Sequence, residues 1–218
     1  VYKRQELDRV RQALAAAFAT LPREEVRTIA DAVPHVCRES VQTVEDEMEV
    51  TQGKLSMGFS CGSDDMPALL LGNTLFGGSS NSKLFLNVRE KLSLCYYASS
   101  MYHRQKGIIT VSSGIEFQNY QRAYDEILSQ LAAVQNGELE EWELAGARST
   151  LLNSYATVGD SQGKLENFYL GQAATGRSET PADLAQAVME VSAERICRAM
   201  STVKLDTVYF LKGKEAQA

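Results

Sequence analysis

Histidine is scarce in this chain of 218 residues, which contains only His35 and His103. A zinc site on one helix face needs ligands one turn apart, and the HxxEH and HExxH patterns supply two histidines and a glutamate for it. His35 is followed four positions later by Glu39, so this string supplies one histidine and one carboxylate. His103 lies in a predicted turn beside Arg104, where a solvated side chain is expected. The sequence therefore predicts no metal site in this chain.

Other catalytic motifs are missing as well. No GxSxG string marks a serine nucleophile, and neither GxxxxGK[ST] nor GxGxxG marks a phosphate cradle. Gly77 and Gly78 precede a serine-rich loop, and Lys83 is only weakly consistent with phosphate binding. The glutamates within residues 138–143 are typical of the acidic first turns of a helix rather than of a catalytic pair. The chain therefore carries no complete catalytic set of its own.

Paired cysteines, long apolar runs and basic stripes are also absent. The four cysteines show no CxxC or metal-like spacing, and without a secretion signal they indicate reduced thiols in the cytosol: Cys37, Cys61, Cys95 and Cys197. No window approaches the 18 consecutive apolar residues of a membrane span. The net charge of −6 argues against nucleic-acid binding. We expect a cytoplasmic protein that binds neither membrane nor nucleic acid.

The composition that is present, 44% hydrophobic and 23% charged, suits one large domain or one domain plus a fragment. The chain begins with Val1 rather than Met and part-way into a predicted helix, so we expect a fragment whose missing motifs lie upstream. Apolar residues at helical spacing predict an amphipathic helix over residues 5–21, which Pro22 ends. An extended connector is predicted from there to about residue 45.

Strands and helices are segregated in the rest of the sequence. Four strands are predicted, over residues 48–61, 94–102, 107–115 and 205–211. Helices are predicted over residues 66–76, from near Asn81, and over 120–135, 139–155, 163–174, 181–189 and 193–200. This order predicts an α+β fold, in which helices pack on one face of a mainly antiparallel sheet.

The remaining features centre on residues 75–100, LFGGSSNSKLFLNVREKLSLCYYASS. Gly77 and Gly78 can adopt positive φ, so we expect them to turn the chain sharply at a helix end. The next helix is predicted to bear one apolar stripe, formed by Leu84, Phe85, Val88 and Leu92. Taken alone, the run has a structural explanation: the negative helix end stabilises Arg89, and Tyr96 and Tyr97 cover opposite faces of a sheet.

This run resembles the C-terminal, non-zinc half of the M16 metallopeptidases, the family of pitrilysin, insulinase-like enzymes and mitochondrial processing peptidase. The family pattern is LFGG, a serine-containing loop, LF, REK and a Leu-x-Tyr strand, matched here by residues 75–78, 84–85, 89–91 and 94–96. Three further strings are similar to the small bacterial members: QGKLSMGF at 52–59, SGIE at 113–116 and LDTVYFLKG at 205–213. The resemblance covers roughly residues 43–213.

The resemblance implies a clamshell of two similar halves that enclose an unfolded peptide. One half holds zinc through an inverted HxxEH motif, and the other supplies an arginine and, seven residues later, a tyrosine. Arg89 and Tyr96 match that spacing, with Gly77 and Gly78 also expected at the substrate. The chain would then be the non-catalytic half, contributing substrate binding and oxyanion support. It would hold no cofactor, with zinc in a partner half on the same polypeptide or a separate subunit.

The implied domain organisation has three parts. Residues 1–21 are the tail of a preceding half, 22–43 a connector, and 44–213 the inactive domain. Ser93 departs from the pattern, because a glycine is expected before Leu94, and Tyr97 leaves open which phenol faces the chamber. Two alternatives stay open: a peptide-binding or assembly subunit without catalytic contribution, and a self-sufficient zinc enzyme.

Overall fold

The computed structural model describes residues 6–22 and 38–214. The chain divides into two compact units, Val1–Asp31 and Ala32–Ala218. The first unit contains helix α1 (Leu7–Ala19), which confirms the predicted helix but buries none of its own residues. His35, Cys37 and the predicted connector between residues 23 and 37 lie outside the described residues.

The second unit is built on a five-stranded sheet in the order β1-β5-β2-β4-β3. Its strands are β1 (Gln42–Met48), β2 (Gly53–Cys61), β3 (Cys95–His103), β4 (Ile108–Ile115) and β5 (Val203–Gly213). Only the β1–β5 pair is parallel among the described strands, and the other three pairs are antiparallel. The predicted α+β class with a mainly antiparallel sheet is therefore confirmed.

Six α-helices accompany the sheet: α2 (Met66–Asn73), α3 (Tyr120–Gln135), α4 (Glu141–Ala156), α5 (Gln162–Ala174), α6 (Pro181–Met189) and α7 (Ala193–Met200). Local capping explains several of their starts. The Thr180 hydroxyl accepts from the amide of Asp183, whose carboxylate accepts from the amide of Thr180. Such reciprocal bonds satisfy two of the first amides of a helix, so these starts follow from neighbouring residues.

The core lies between the helices and one face of the sheet. Alternate residues of β2, namely Leu55, Met57 and Phe59, are fully buried in one cluster with residues from α2, α3 and α7. On the other face of the edge strand β3, Met101 remains 61% exposed. The prediction that the helices pack on one face is therefore confirmed, since a sheet with one covered face alternates in this way.

The strand predicted over residues 48–61 is confirmed only for residues 53–61, which form β2, because Met48 ends β1 and a turn follows it. β1 and β2 lie on either side of β5, so the chain runs along one side of β5, turns, and returns along the other. The amide of Val50 donates to the carbonyl of Met48 in that turn, and a Cβ at Gly213 would lie 2.7 Å from the Val50 carbonyl. Residues 42–45, predicted as connector, are the start of β1.

The double glycine also behaves differently from its prediction. Neither Gly77 nor Gly78 has a positive φ. Instead, α2 continues into a π-helical turn, Thr74–Gly78, in which a Cβ at Gly77 would lie 2.7 Å from the Ser100 hydroxyl and 2.8 Å from its amide nitrogen. Gly77 is required because the turn passes directly against β3, rather than because the backbone needs a left-handed residue.

The helix predicted from near Asn81 is a π-helix, Leu84–Lys91. Its last bond runs five residues back, from the amide of Leu92 to the carbonyl of Asn87. Leu84 and Val88 are fully buried as predicted, whereas Leu92 is exposed. Wider π-helical turns move side chains away from the spacing of an α-helix, which explains why Leu92 leaves the apolar stripe.

Candidate functional site

The candidate site lies where the π-helix feeds into β3. Between them, Ser93 has a φ of 49° and is the only non-glycine residue with positive φ in the part of the chain that the structure describes. A side chain in this conformation is sterically unfavourable, which is a physical reason for the glycine that the resemblance leads us to expect before Leu94. The turn directs the chain from the helix end into the edge of the sheet, and the amide of Leu94 donates to the carbonyl of Val88.

Arg89 lies in the last turn of the π-helix, where the negative helix end stabilises its positive charge. Its side chain is 42% exposed, and its guanidinium group lies 4.7 Å from the ring centre of Phe85. The ion pair with Glu90, at 3.6 Å, is loose and exposed on both sides. The guanidinium is therefore positioned by an aromatic face and keeps donors that can bind another group.

Tyr96 occupies an irregular position at the start of β3. Cys95 pairs with Ile115 and Tyr97 pairs with Gly114, so two residues of β3 span a single step of β4 and Tyr96 has no pairing partner. This is a β-bulge, which redirects side chains at sheet edges. Tyr96 is 64% exposed, and no hydrogen bond to its hydroxyl is present from the described residues. The phenol is thus available to a ligand.

Tyr97 lies on the face of the sheet away from the helices. Its ring packs over Gly114, where a Cβ would lie 2.7 Å from it, and the Lys54 ammonium lies 5.4 Å from the ring centre. The ring therefore covers a glycine of the neighbouring strand. Tyr97 therefore has a structural role. The bulge, rather than regular alternation along the strand, gives the two tyrosines different surroundings.

A small pocket of about 190 Å³ adjoins Tyr96. Its lining residues come from the turn, the start of β3 and the segment after β4: Ser93, Leu94, Cys95, Tyr96, Glu116 and Asn119. Burial raises the pKa of the Cys95 thiol, while a hydrogen bond with Ser113 and the charge of Arg89 oppose that rise. Arg89 therefore acts electrostatically on a residue of this pocket.

The structure thus associates Arg89 and Tyr96 with the same end of β3. Gly77 is buried under β3 and Gly78 is exposed, so their predicted contact with substrate stays a prediction. Sequence reasoning did not single out Cys95, Glu116 or Asn119 for this site. The SGIE string at 113–116 contained the only signal for the segment after β4, because its last residue is Glu116, but it indicated no role.

Lys83 and the acidic cluster serve the fold. The Lys83 ammonium lies 3.0 Å from both carboxylate oxygens of Glu143, and the pair is 10% and 7% exposed. The amide of Glu140 also donates to Glu143, in the capping box of α4. The acidic cluster is therefore the start of a helix, as predicted, and Lys83 forms a buried ion pair with it.

No group of three or more His, Cys, Asp or Glu side chains within residues 6–22 and 38–214 is placed to hold a metal ion. The described residues thus do not fit a zinc site. In the same part of the chain no helix is both long and apolar enough to cross a bilayer.

Comparison with known sequences decides the family. The profile described as Peptidase M16 inactive domain matches residues 4–151. The chain belongs to the M16 peptidase family. Among M16 relatives, the protein named "Probable inactive metalloprotease YmfF" from Bacillus subtilis is 38% identical over 214 residues, which cover 95% of this chain and 49% of that protein. The "Uncharacterized zinc protease YmxG" of the same organism is 23% identical over 154 residues, covering 68% of this chain and 38% of that protein.

Solved structures share the fold of this chain. A conserved protein from Enterococcus faecalis superposes with a TM-score of 0.82 at 28% identity, covering 95% of this chain and 50% of that one. A peptidase M16 inactive domain from Pseudomonas fluorescens has a TM-score of 0.78 at 16% identity, covering 98% of this chain and 53% of that one, and it supports the fold alone. This M16 chain therefore spans about half the length of the relatives that it matches.

Proposed function

We propose that this chain is the non-catalytic half of an M16 zinc metallopeptidase, and that it binds peptide substrate and supports the oxyanion in a chamber shared with a zinc-bearing half. The observation that carries the proposal is the β-bulge at the start of β3, which leaves Tyr96 unpaired and exposed. Arg89 lies in the last turn of the π-helix, which leads directly into the same end of this strand.

The two side chains suit different parts of a peptide. The guanidinium of Arg89 presents a rigid fork of donors, which can hold a substrate carbonyl or carboxylate. The phenol of Tyr96 can donate a hydrogen bond to the oxyanion that forms when water attacks the scissile carbonyl. One positioned donor of this kind contributes on the order of 3 kcal/mol to a transition state. Zinc in the partner half would supply Lewis-acid chemistry, which the described residues of this chain do not.

The test is peptide hydrolysis by the chain combined with a matching half that carries HxxEH. Arg89→Ala is expected to raise KM, and Tyr96→Phe to lower kcat, because a ring without its hydroxyl keeps packing but loses the donor. Tyr97→Phe is the matched control and is expected to leave both constants unchanged, since its ring packs on Gly114. Unchanged rates for both Arg89→Ala and Tyr96→Phe would exclude the assigned roles.

A second candidate is a peptide-binding or assembly subunit with no catalytic contribution. The name of the 38% identical relative, a probable inactive metalloprotease, favours this alternative. It predicts stable association with another M16 half, measured by sedimentation, together with no effect of either substitution on turnover.

The location and the partner complete the proposal. We expect the zinc-bearing half either upstream on the same polypeptide or on a separate cytosolic subunit, where the thiols stay reduced. The three described cysteines, Cys61, Cys95 and Cys197, are not in disulfides.

A further inference from the structure

The bulge that exposes Tyr96 needs a stabilising contact. An extra residue in one strand interrupts the ladder and leaves backbone groups without their usual partners. Buried carbonyl groups of this kind require another hydrogen-bond donor. In β3 the bulge lies between Cys95 and Tyr97, which are the residues on either side of Tyr96.

Ser113 of β4 provides this contact. It is completely buried, with 0% exposure. Its hydroxyl donates to the carbonyl of Tyr97 at 2.9 Å. One buried hydroxyl therefore holds the backbone of the residue that immediately follows Tyr96.

We propose that Ser113 is a positioning residue for Tyr96, and that its hydroxyl holds the β-bulge in the form that directs the phenol outwards. The effect of Ser113 on catalysis rests on the proposed function, whereas its effect on the position of Tyr96 is a property of this chain alone. No ladder pairing fixes Tyr96, so the hydrogen bond at the neighbouring Tyr97 carbonyl determines its direction. Without the Ser113 hydroxyl, the Tyr97 carbonyl loses this hydrogen bond, and the strand is expected to relax toward regular pairing or become mobile at Tyr96.

A fluorine label on Tyr96 tests the positioning in the whole chain without any peptidase assay. With 3-fluorotyrosine at position 96, Ser113→Ala is expected to shift and broaden the ¹⁹F resonance, because the ring samples more than one environment. Ser113→Thr retains the hydroxyl and is expected to restore the parent resonance.

Ser100→Ala is the matched control for this label. It removes another buried hydroxyl that bonds to Asn73, away from the bulge. It is expected to lower stability and leave the Tyr96 resonance in place. An unchanged resonance in Ser113→Ala, or equal changes in Ser113→Ala and Ser100→Ala, would overturn the inference.

Peptide hydrolysis by the complex with the zinc-bearing half then separates the two proposals. Ser113→Ala is expected to lower kcat about tenfold with little change in KM, and to have no further effect in a Tyr96→Phe background. If Tyr96→Phe itself leaves kcat unchanged, the proposed function fails, while the fluorine result still decides the positioning. If Tyr96→Phe lowers kcat and Ser113→Ala lowers it additively, Ser113 does not act through Tyr96.

Discussion

The two ends of the π-helix use cations in opposite ways. At its start, Lys83 is buried and contacts both oxygens of Glu143 at 3.0 Å, in the wall of a large polar cleft. At its end, Arg89 is 42% exposed and has only a loose contact with Glu90. A buried charge must be fully paired, because desolvation without a partner is expensive, whereas an exposed guanidinium keeps its donors for a ligand. The comparison separates a structural cation from a candidate binding cation on one helix.

The largest expected effect would come from breaking the buried pair. Lys83→Met keeps the length of the side chain but leaves the Glu143 carboxylate without its cation. It is expected to lower the free energy of unfolding by about 3 kcal/mol, measured by urea denaturation. Arg89→Met is the control at the other end and is expected to change it by less than about 0.5 kcal/mol.

A double variant sharpens the same comparison. Lys83→Met with Glu143→Gln removes both charges and keeps an acceptor for the Glu140 amide, so most of the lost stability is expected to return. A loss under about 1 kcal/mol for Lys83→Met alone would contradict the structural role of the pair.

Packing at the start of the π-helix gives the next largest effect. In Gly77→Ala, the new methyl would lie 2.7 Å from the Leu84 side chain and 2.8 Å from the Ser100 backbone nitrogen. It is expected to lower the free energy of unfolding by about 2 kcal/mol. Gly78→Ala meets the end of the Asn73 side chain at 3.0 Å and is expected to lose less than half as much. Equal losses in urea denaturation would mean that the close approach to β3 is not decisive.

The end of the helix is expected to gain stability from one substitution. Ser93→Gly removes the steric strain of a side chain at φ 49°. Because glycine is more flexible in the unfolded chain, the expected net gain in the free energy of unfolding is about 0.5 kcal/mol. Ser80→Gly, at another exposed serine whose φ is not positive, serves as control and is expected to give no gain. Thermal unfolding of the three chains measures the difference. A lower melting temperature for Ser93→Gly would show that the side chain, not the backbone, matters there.

The smallest expected effect is that of the Arg89 charge on the alkylation rate of the Cys95 thiol. Burial raises the pKa of Cys95, so less thiolate is present in the folded chain and alkylation by iodoacetamide keeps accelerating above pH 9. Arg89 opposes that rise, and Arg89→Ala is therefore expected to slow alkylation of Cys95 about two- to threefold at pH 8. Cys61, whose pKa burial raises to about 12, is the internal reference.

Mass spectrometry of the two cysteine peptides gives both rates. Lys91→Ala removes a neighbouring cation from the end of the same π-helix, and is expected to leave the Cys95 rate unchanged. Equal slowing in Arg89→Ala and Lys91→Ala would mean that only the overall charge matters.

Elements defined by neighbouring residues were predictable. The hairpin of β3 and β4, the helix from Tyr120 to Gln135, and the helices that start after Thr180 and Ser192 are where the pattern placed them. The start of the strand predicted over residues 48–61 could not be predicted in this way. β2 begins only at Gly53, because the chain turns around β5, which lies between β1 and β2 and comes about 150 positions later in the sequence.

Part of the candidate site could likewise be predicted from neighbouring residues, and part could not. The spacing of Arg89 and Tyr96 and the helix-to-strand order are present in the sequence, and they were sufficient for the M16 resemblance that the family match confirms. Which tyrosine is unpaired in the sheet could not be predicted, because strand alternation assumes a regular ladder and β3 has a bulge.

By itself, the sequence determined the fold class, the family and the residues to be considered, since each depends on composition or on residues within a few positions of one another. Only the tertiary structure decided that Gly77 is needed for close packing, that Lys83 is structural and that Tyr96 rather than Tyr97 is unpaired. Each of these depends on a contact across the chain: Gly77 with Ser100, Lys83 with Glu143, and Tyr97 with Ser113. The physical reason is that burial, which makes an unpaired charge or carbonyl costly, exists only once distant segments have packed together.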